Sequence, residues 1–262
     1  MNKISIIIRK EWAEVFKNRL VISTMVFMPL LFSAIPLIMF YLLRGSGAED
    51  LTGDLPPQFM QYCQQGLTAS ECFQFFMTRQ FMLLFLIIPL MIPVNIAAYS
   101  IVGEKTTRSL EPLLATPITT VELMIGKNLA AVIPAVAATW LGFIIYIVGT
   151  LLILETPRLL TVLLDPIWWI AIIFLGPLLA ILSVNFSIMV SSRVNDVRVA
   201  EQVSAVVILP LLALFFGQIA GLFFINQTLI LLVSLLVLIV DVGFLYVSVR
   251  LFQRETILTR WK

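Results

Sequence analysis

Six long apolar stretches, separated by polar residues, constrain what this chain can fold into. Each has at least about the 20 residues that an α-helix needs to cross a bilayer. Lipid offers no hydrogen-bond partners to the backbone, so a stretch that enters it must satisfy its own amide groups by forming a helix. The sequence therefore predicts an all-α integral membrane protein with six transmembrane helices, at residues 20–43, 80–101, 123–154, 167–190, 201–224 and 228–249.

Composition indicates that these six helices make up nearly all of the protein. Of its 262 residues, 60% are hydrophobic and 12% are charged, whereas a soluble domain has about 25% charged residues. The longest hydrophilic stretch between two apolar ones, residues 44–79, is too short for a large soluble domain. We therefore expect residues 1–262 to form a single transmembrane domain.

The distribution of Lys and Arg predicts the orientation of the helices. Six crossings place both termini on one side, and that side holds fourteen of the seventeen basic residues; Arg44, Arg79 and Arg158 are the other three. Loops rich in Lys and Arg stay in the cytoplasm. We therefore expect cytoplasmic termini, a cytoplasmic segment at residues 103–117 and an extracytoplasmic loop at residues 44–79.

The two cysteines, Cys63 and Cys72, fall in that extracytoplasmic part of the chain, which is an oxidising compartment. Two interpretations remain open: a disulfide between them, or two unpaired and semi-buried thiols. The chain has no histidine, and two cysteines do not complete a four-ligand metal site. No metal site is expected.

The first residues of the chain, 3–18, have the pattern of an amphipathic helix. Their apolar face consists of Ile4, Ile8, Trp12, Val15 and Phe16, and their charged face of Lys3, Lys10, Glu14 and Lys17. This pattern predicts a helix that lies along the membrane surface, with Trp12 at headgroup depth and the lysines toward anionic lipid. The alternative is a basic flank of the first span.

The segment 103–117, between the second and third spans, is polar but has a helical pattern. Leu110, Leu113 and Leu114 recur at helical spacing on one face, opposite Glu104, Lys105, Arg108 and Glu111. Glu104 and Arg108 have the spacing of a helical ion pair. Pro117 ends the segment, and Thr119 with Glu122 forms a capping box for the next helix. We expect this element to contact a soluble partner, although the leucines could pack on the protein's own spans and the charges could face water.

Polar and aromatic residues interrupt the predicted spans. A charge within the bilayer is costly, so Asp241 should face protein or water, as a hydrogen-bonding group or as a substrate contact. Asn95, Asn185 and Gln218 are expected to link helices by hydrogen bonds. Asp165 and Pro166 have the pattern of a helix start, and Trp168 with Trp169 is expected to form an interfacial belt beside it.

The sequence contains no motif by which this chain could drive transport by itself. A phosphate-binding loop has Gly, four residues and then Gly-Lys-Ser/Thr, and neither Gly103 nor Gly126 begins or completes that pattern. Secondary transporters usually carry several ionisable groups inside the membrane and internal repeats, whereas here only Asp241 lies clearly within a span. We therefore expect a membrane subunit that another protein drives.

The residues in and just after the segment 103–117 resemble those of a known family. Gly103-Glu104-Lys105, Ser109-Leu110-Glu111, Leu113-Leu114, Thr116-Pro117 and Gly126-Lys127 are similar to the signature of type-2 ABC exporter permeases, in the NatB-like branch. The resemblance extends over the whole chain, including the basic N-terminal helix and the six spans.

This resemblance implies a coupling helix at residues 103–117 that fits a groove on a separate ATP-binding subunit. The N-terminal helix, with Lys10, Trp12, Phe16 and Lys17, would be the second contact with that subunit. It also implies two permease copies, as a homodimer or heterodimer, and two ATPase subunits that bind ATP and Mg. The residues expected to carry the coupling are Gly103, Glu104, Arg108, Leu110, Glu111, Leu113, Leu114 and Pro117.

Together these observations predict the permease subunit of an ATP-driven exporter in the plasma membrane, itself not an enzyme. Two alternatives remain: a self-sufficient secondary carrier or channel, and a non-transporting membrane assembly subunit. The sequence does not identify the transported substrate.

Overall fold

The computed structural model describes residues 3–45, 69–107, 118–153, 163–223 and 225–251. Within these ranges the chain forms helices and turns and no strand, and six of the helical stretches are long and apolar enough to cross a membrane. The prediction of an all-α membrane protein with six spans is therefore confirmed.

The helices follow one another in a simple order. An N-terminal helix, Lys3–Val15, precedes the first span, Arg19–Gly45, and the third and sixth spans are also single helices. The second, fourth and fifth spans are each built from more than one helical segment. The bounds are Ala69–Phe85 and Ile88–Thr106 for the second span, Thr120–Ile153 for the third, Pro166–Trp169, Ile170–Leu175 and Gly176–Ser191 for the fourth, Val197–Ser204, Ala205–Ile208 and Leu209–Ile219 for the fifth, and Gln227–Leu251 for the sixth.

The second span is the centre of the bundle. In its most apolar window 83% of the residues are buried, compared with 22% in the first, fifth and sixth spans. It packs against the third and fourth spans along much of its length. Ser183 and Ser187 of the fourth span donate hydrogen bonds to the backbone carbonyls of Leu90 and Val94. The outer spans therefore pack around a central helix that has little contact with lipid.

Prolines explain where the composite spans are broken. Pro89, Pro177 and Pro210 each lie in the first turn of a helical segment. A proline has no N–H to donate to the preceding turn, which weakens the helix there. Pro29, Pro36, Pro93 and Pro134 nevertheless lie inside continuous helices. The fourth span widens into a π-helical segment at Ile170–Leu175, and the fifth span tightens into a 3₁₀ turn at Ala205–Ile208.

Several helix ends differ from the predicted ones. The second span begins at Ala69 rather than at residue 80, because its polar residues Gln74, Thr78 and Gln80 are buried inside the bundle. The fifth span begins at Val197 rather than at residue 201, because the Asp196 carboxylate caps it. That carboxylate accepts hydrogen bonds from the backbone amides of Arg198 and Val199, at 2.7 and 3.2 Å.

Trp168 is not part of an interfacial belt, contrary to the sequence prediction. Its side chain is fully buried and stacks on Phe143 of the third span, with ring centroids 5.3 Å apart. Phe85 and Tyr146 complete this aromatic cluster, at 6.2 and 5.8 Å from Trp168. Trp169, by contrast, is 40% exposed. Asp165 caps the fourth span as predicted, because its carboxylate accepts a hydrogen bond from the Ile167 amide.

Candidate functional site

The two ends of the helical bundle differ in charge. At one end, which we call the basic face, the N-terminal helix meets the last turn of the second span and the first turns of the third. Lys105 also reaches the turn between the fourth and fifth spans there, 3.4 Å from the carbonyl oxygens of Ser192 and Val194. At the other end, the opposite face, Arg79 pairs with Asp165 at 3.1 Å.

A buried cluster of charges lies at the basic face, with the Lys127 ammonium at its centre. The Lys127 Nζ is 2.9 Å from Glu11 Oε1, 2.8 Å from Glu104 Oε2 and 2.7 Å from Ser100 Oγ. The Lys127 ammonium donates hydrogen bonds to Glu11 and Ser100 and forms an ion pair with Glu104. The Ser100 hydroxyl in turn donates to Glu11 Oε2 at 2.6 Å. One side chain of the third span thereby holds both the N-terminal helix and the second span.

Lys10 completes the cluster and corrects two predictions. Rather than facing anionic lipid, it forms an ion pair with Glu104 and lies within 3.7 Å of Glu11 and 3.6 Å of Glu14. Glu104, only 4% exposed, belongs to the interior of the protein and not to a surface that faces a partner. The charges of Glu11, Glu104 and Lys127, which are buried, and of the partly exposed Lys10 sum to zero.

The environment keeps the N-terminal members of this cluster ionised at neutral pH. Burial by itself would raise the pKa of Glu11, but the Lys127 ammonium and the hydrogen bonds from Ser100 and Lys127 outweigh it, so the pKa lies below its usual value. Burial would likewise lower the pKa of Lys10, but Glu104 and the neighbouring glutamates outweigh it, so that pKa is raised. Both shifts favour the charged forms that make the ion pairs.

Close helix packing brings the charges together. A methyl group added at Gly126 would lie 2.7 Å from Ile7 Cγ2, so the N-terminal helix approaches the third span more closely than any larger residue allows. The Trp12 indole donates to the backbone carbonyl of Ala130 at 2.9 Å. Trp12 is thus held by protein contacts. The buried residues of its helix are Ile7, Glu11 and Val15, of which only Val15 belongs to the predicted apolar face; Phe16 of that face is 46% exposed.

The segment between the second and third spans is anchored at both ends. Glu104 lies near the end of the second span, and the carbonyl of Gly103 accepts hydrogen bonds from the amide and the hydroxyl of Thr107. The third span begins with the predicted capping box: the Thr119 amide donates to Glu122 Oε2 at 2.8 Å, and the Glu122 amide donates to Thr119 Oγ1 at 3.2 Å.

Several predicted site residues lie outside the described ranges, so their roles stay predictions. Cys72 is part of a disulfide, and the only other cysteine of the chain, Cys63, is among those residues. Lys17 is exposed at the end of the N-terminal helix. Six of the predicted coupling residues also lie outside the described ranges: Arg108, Leu110, Glu111, Leu113, Leu114 and Pro117.

The polar residues predicted within the membrane do not form one site. The Asn95 amide donates to Thr24 Oγ1 of the first span at 3.4 Å, which is the predicted kind of link between helices. Asn185, Gln218 and Asp241 are each at most 2% exposed, and their side-chain polar atoms have no hydrogen-bond partner among the described residues. A role as links between helices is therefore not observed for Asn185 or Gln218.

Glu11 and Ser100 were not among the predicted site residues, and Lys127 was named only in the family-like signature, without a role. Glu11 offered a signal, because it falls between Ile7 and Val15 at helical spacing and thus interrupts an apolar stripe. Lys127 offered a matching signal, because it is a charged residue near the start of an apolar span. A charge on the buried side of each of two neighbouring helices indicates a pair between them.

Removing Lys127 should destabilise the protein strongly. We expect Lys127→Met to cost about 3–5 kcal/mol of unfolding free energy, because Glu11 and Glu104 would then share only Lys10. The double variant Glu11→Gln/Lys127→Met restores neutrality and should lose less than the sum of the two single variants. Unfolding of the purified protein in detergent measures the loss of stability in both variants.

The control is Lys3→Met, which breaks the exposed pair with Glu122 and should cost at most about 1 kcal/mol. Equal losses for Lys127→Met and Lys3→Met would contradict the prediction.

A side chain at Gly126 should push the N-terminal helix away from the third span. We expect Gly126→Ala to destabilise the protein by about 1–3 kcal/mol through overpacking against Ile7, and to speed hydrogen exchange of the amides of the N-terminal helix. Gly103→Ala is the matched control, because a methyl group there meets no atom within 4 Å among the described residues. Unchanged exchange in Gly126→Ala would show that the close approach is not required.

Comparison with known proteins agrees with a six-span membrane protein. A family model described as ABC-2 family transporter protein matches residues 5–246, which is nearly the whole chain and includes every member of the charge cluster. The comparison with curated proteins gave no match. On the strength of the family match, this chain belongs to the ABC-2 transporter family and is a multi-pass membrane component of an ABC transporter.

Proposed function

We propose that this chain is the permease subunit of an ATP-driven exporter, of the NatB-like branch, which forms its translocation path as a dimer and is driven by separate ATPase subunits. The observation that carries the proposal is the charge cluster around Lys127. It joins the N-terminal helix, the second span and the third span at the base of the segment 103–117. A force applied to that segment therefore reaches three helices at once.

The orientation in this proposal follows from charge. The basic face carries the described Lys and Arg residues of the N-terminal helix and of the turn after the fourth span, whereas Arg79 lies toward the opposite face. By the positive-inside rule the basic face would be cytoplasmic, with both termini. The plasma membrane is the membrane that this proposal assigns to the protein. ATP and Mg would bind to the partner subunit, which can reach only the cytoplasmic face.

The mechanism is the transfer of a rigid-body movement. Closure of the ATPase subunits on ATP would move their docking grooves, and the segment seated in each groove would move with it. At one end the segment continues into Glu104 and at the other into the capped start of the third span. Because Lys127 links these ends to Glu11, the N-terminal helix would follow, and the spans would reorient a cavity between two permease copies.

The charges available to the partner differ from those first expected. Glu104 is paired inside the protein, so the contacts would come from Arg108 and Glu111, with Leu110, Leu113 and Leu114 as apolar anchors. A second contact would come from the exposed side of the N-terminal helix, where Arg9, Glu14 and Lys17 face outward. The buried side of that helix is occupied by its own spans.

Charge reversal at Glu111 should weaken the coupling between this chain and its ATPase subunits. We expect Glu111→Lys to assemble in the membrane but to lose most of the permease-dependent stimulation of ATP hydrolysis, because a misplaced charge at a docking surface costs several kcal/mol. ATPase activity of the reconstituted complex, with co-purification of the two subunits, measures this loss.

The control for this experiment is Arg193→Glu, which reverses an exposed charge at the same basic face but outside the segment 103–117. It should retain stimulation. If Glu111→Lys retained full stimulation and transport, residues 103–117 would not be the coupling element. Activity in liposomes without any ATPase would instead favour a self-sufficient carrier.

A further inference from the structure

A cavity with polar walls lies at the basic face, between the first, second and fifth spans, and it shares no residue with the charge cluster. Its volume is about 390 Å³, far more than the roughly 15 Å³ that one water molecule needs. It follows the first span from Asn18 to Thr24, which corresponds to roughly 9 Å at about 1.5 Å per residue. The first span begins at Arg19. The cavity therefore lies where the chain enters the membrane, at the level of the lipid headgroups, a layer roughly 5–8 Å thick on each side.

The second span forms the floor of this cavity, and the first and fifth spans form its two walls. Both outer spans pack against the second span, whereas the described parts of the two outer spans have no extensive contact with each other. In each of them only 22% of the most apolar window is buried. The gap between the first and fifth spans therefore faces away from the bundle and toward the surrounding bilayer.

The fifth span contributes one charge of each sign to the cavity. Arg198 is exposed, and Glu201, three residues later on the same helix, is half-buried. Among the described residues neither side chain has a hydrogen bond or an ion pair within 4 Å, with the other or with any third group. Charged side chains in a membrane span normally face a partner or a water-filled cavity. Two opposite and unpaired charges on one wall therefore suit a ligand that carries both.

The floor of the cavity supplies uncharged hydrogen-bonding groups. Asn95 and Tyr99 of the second span are four residues apart, so they share a helix face, and both line the cavity. The Asn95 amide donates to Thr24 at 3.4 Å, which leaves its carbonyl oxygen as an acceptor, and the Tyr99 hydroxyl is a donor. Both residues are half-buried rather than enclosed in the bundle. A ligand in the cavity can therefore reach them.

Deeper in the membrane the same gap is apolar. Met28 follows Thr24 by one turn on the first span, and Ala205 follows Glu201 by one turn on the fifth. Both are partly exposed. Residues four apart share a helix face, so a molecule whose polar end lies in the cavity has apolar side chains beside its remainder. These features indicate an amphipathic ligand, and the bilayer is its source.

We propose that this cavity binds the headgroup of phosphatidylethanolamine from the leaflet that borders the basic face. The Arg198 guanidinium binds the lipid phosphate, because its planar set of N–H donors matches phosphate oxygens. The Glu201 carboxylate accepts hydrogen bonds from the lipid ammonium group. The acyl chains follow the apolar continuation of the gap. This binding needs no ATPase subunit and is independent of the coupling proposal.

Native mass spectrometry of the purified chain tests the proposal by measuring its affinity for phosphatidylethanolamine, phosphatidylcholine and phosphatidylglycerol with the same acyl chains. Phosphatidylcholine carries the same charges but has no N–H to donate to Glu201, and phosphatidylglycerol has no cation. We expect phosphatidylethanolamine to bind about tenfold more tightly than either, as for one charge-assisted hydrogen bond. Soluble glycerophosphoethanolamine has the same headgroup without acyl chains, and it should bind at least about tenfold more weakly than the lipid.

Two variants test the assigned roles of the charges. Glu201→Gln should remove the preference for phosphatidylethanolamine over phosphatidylcholine, whereas Arg198→Gln should weaken the binding of all three lipids about tenfold. Neither side chain has a bond within the protein, so both variants should fold. Arg193→Gln is the matched control, because it removes an exposed charge of the basic face that does not line this cavity, and it should change neither property.

Four results would overturn the proposal. The first is equal affinity for the three lipids, and the second is a Glu201→Gln variant that keeps the preference for phosphatidylethanolamine. The third is equal affinity for the lipid and for glycerophosphoethanolamine, which would make the ligand a soluble molecule. The fourth is a dimer of the chain whose formation displaces phosphatidylethanolamine, which would show that a second copy occupies the gap.

Discussion

The ammonium group of Lys127 is the point on which the basic face depends. It is buried, and it approaches oxygens of the N-terminal helix and of the second span at 2.7 to 2.9 Å. A buried ion has lost its water, and opposite charges and hydrogen-bond partners close by must offset that loss. That requirement fixes Glu11, Ser100 and Glu104 relative to one another more tightly than apolar packing alone, because each must stay within hydrogen-bond distance of the same nitrogen.

Packing and charge support each other in this cluster. Gly126 precedes Lys127, and the absence of its side chain lets Ile7 contact the backbone of the third span. Four residues after Ile7 on the same helix, Glu11 then lies opposite Lys127. The Gly-Lys pair in the family-like signature therefore has a structural explanation here: the glycine permits the close approach and the lysine binds the helix that approaches.

The sequence predicted the spans well, because a hydrophobic run long enough for a bilayer is a local property of the chain. It predicted the capping box of Thr119 and Glu122 and the helix start at Asp165 for the same reason, since each depends on residues within one turn. The prediction was wrong for Lys10 and Trp168. A lysine facing lipid headgroups and a lysine paired with Glu104 have the same local pattern, and only the arrangement of helices distant in sequence distinguishes them. The buried cluster itself joins residues more than ninety positions apart along the chain, between Lys10 and Glu104.

For the proposed transport function, the decisive property is that three helices move as one unit. Nitroxide labels at exposed Ala13 of the N-terminal helix, Val121 of the third span and Val199 of the fifth span allow a direct test by electron spin resonance distance measurement, in the complex with its ATPase subunits with and without ATP. The account predicts that the distance from Ala13 to Val121 stays constant while the distance from Ala13 to Val199 changes. If ATP changed the distance from Ala13 to Val121 as much as the distance from Ala13 to Val199, the charge cluster would not be the link that transmits the motion.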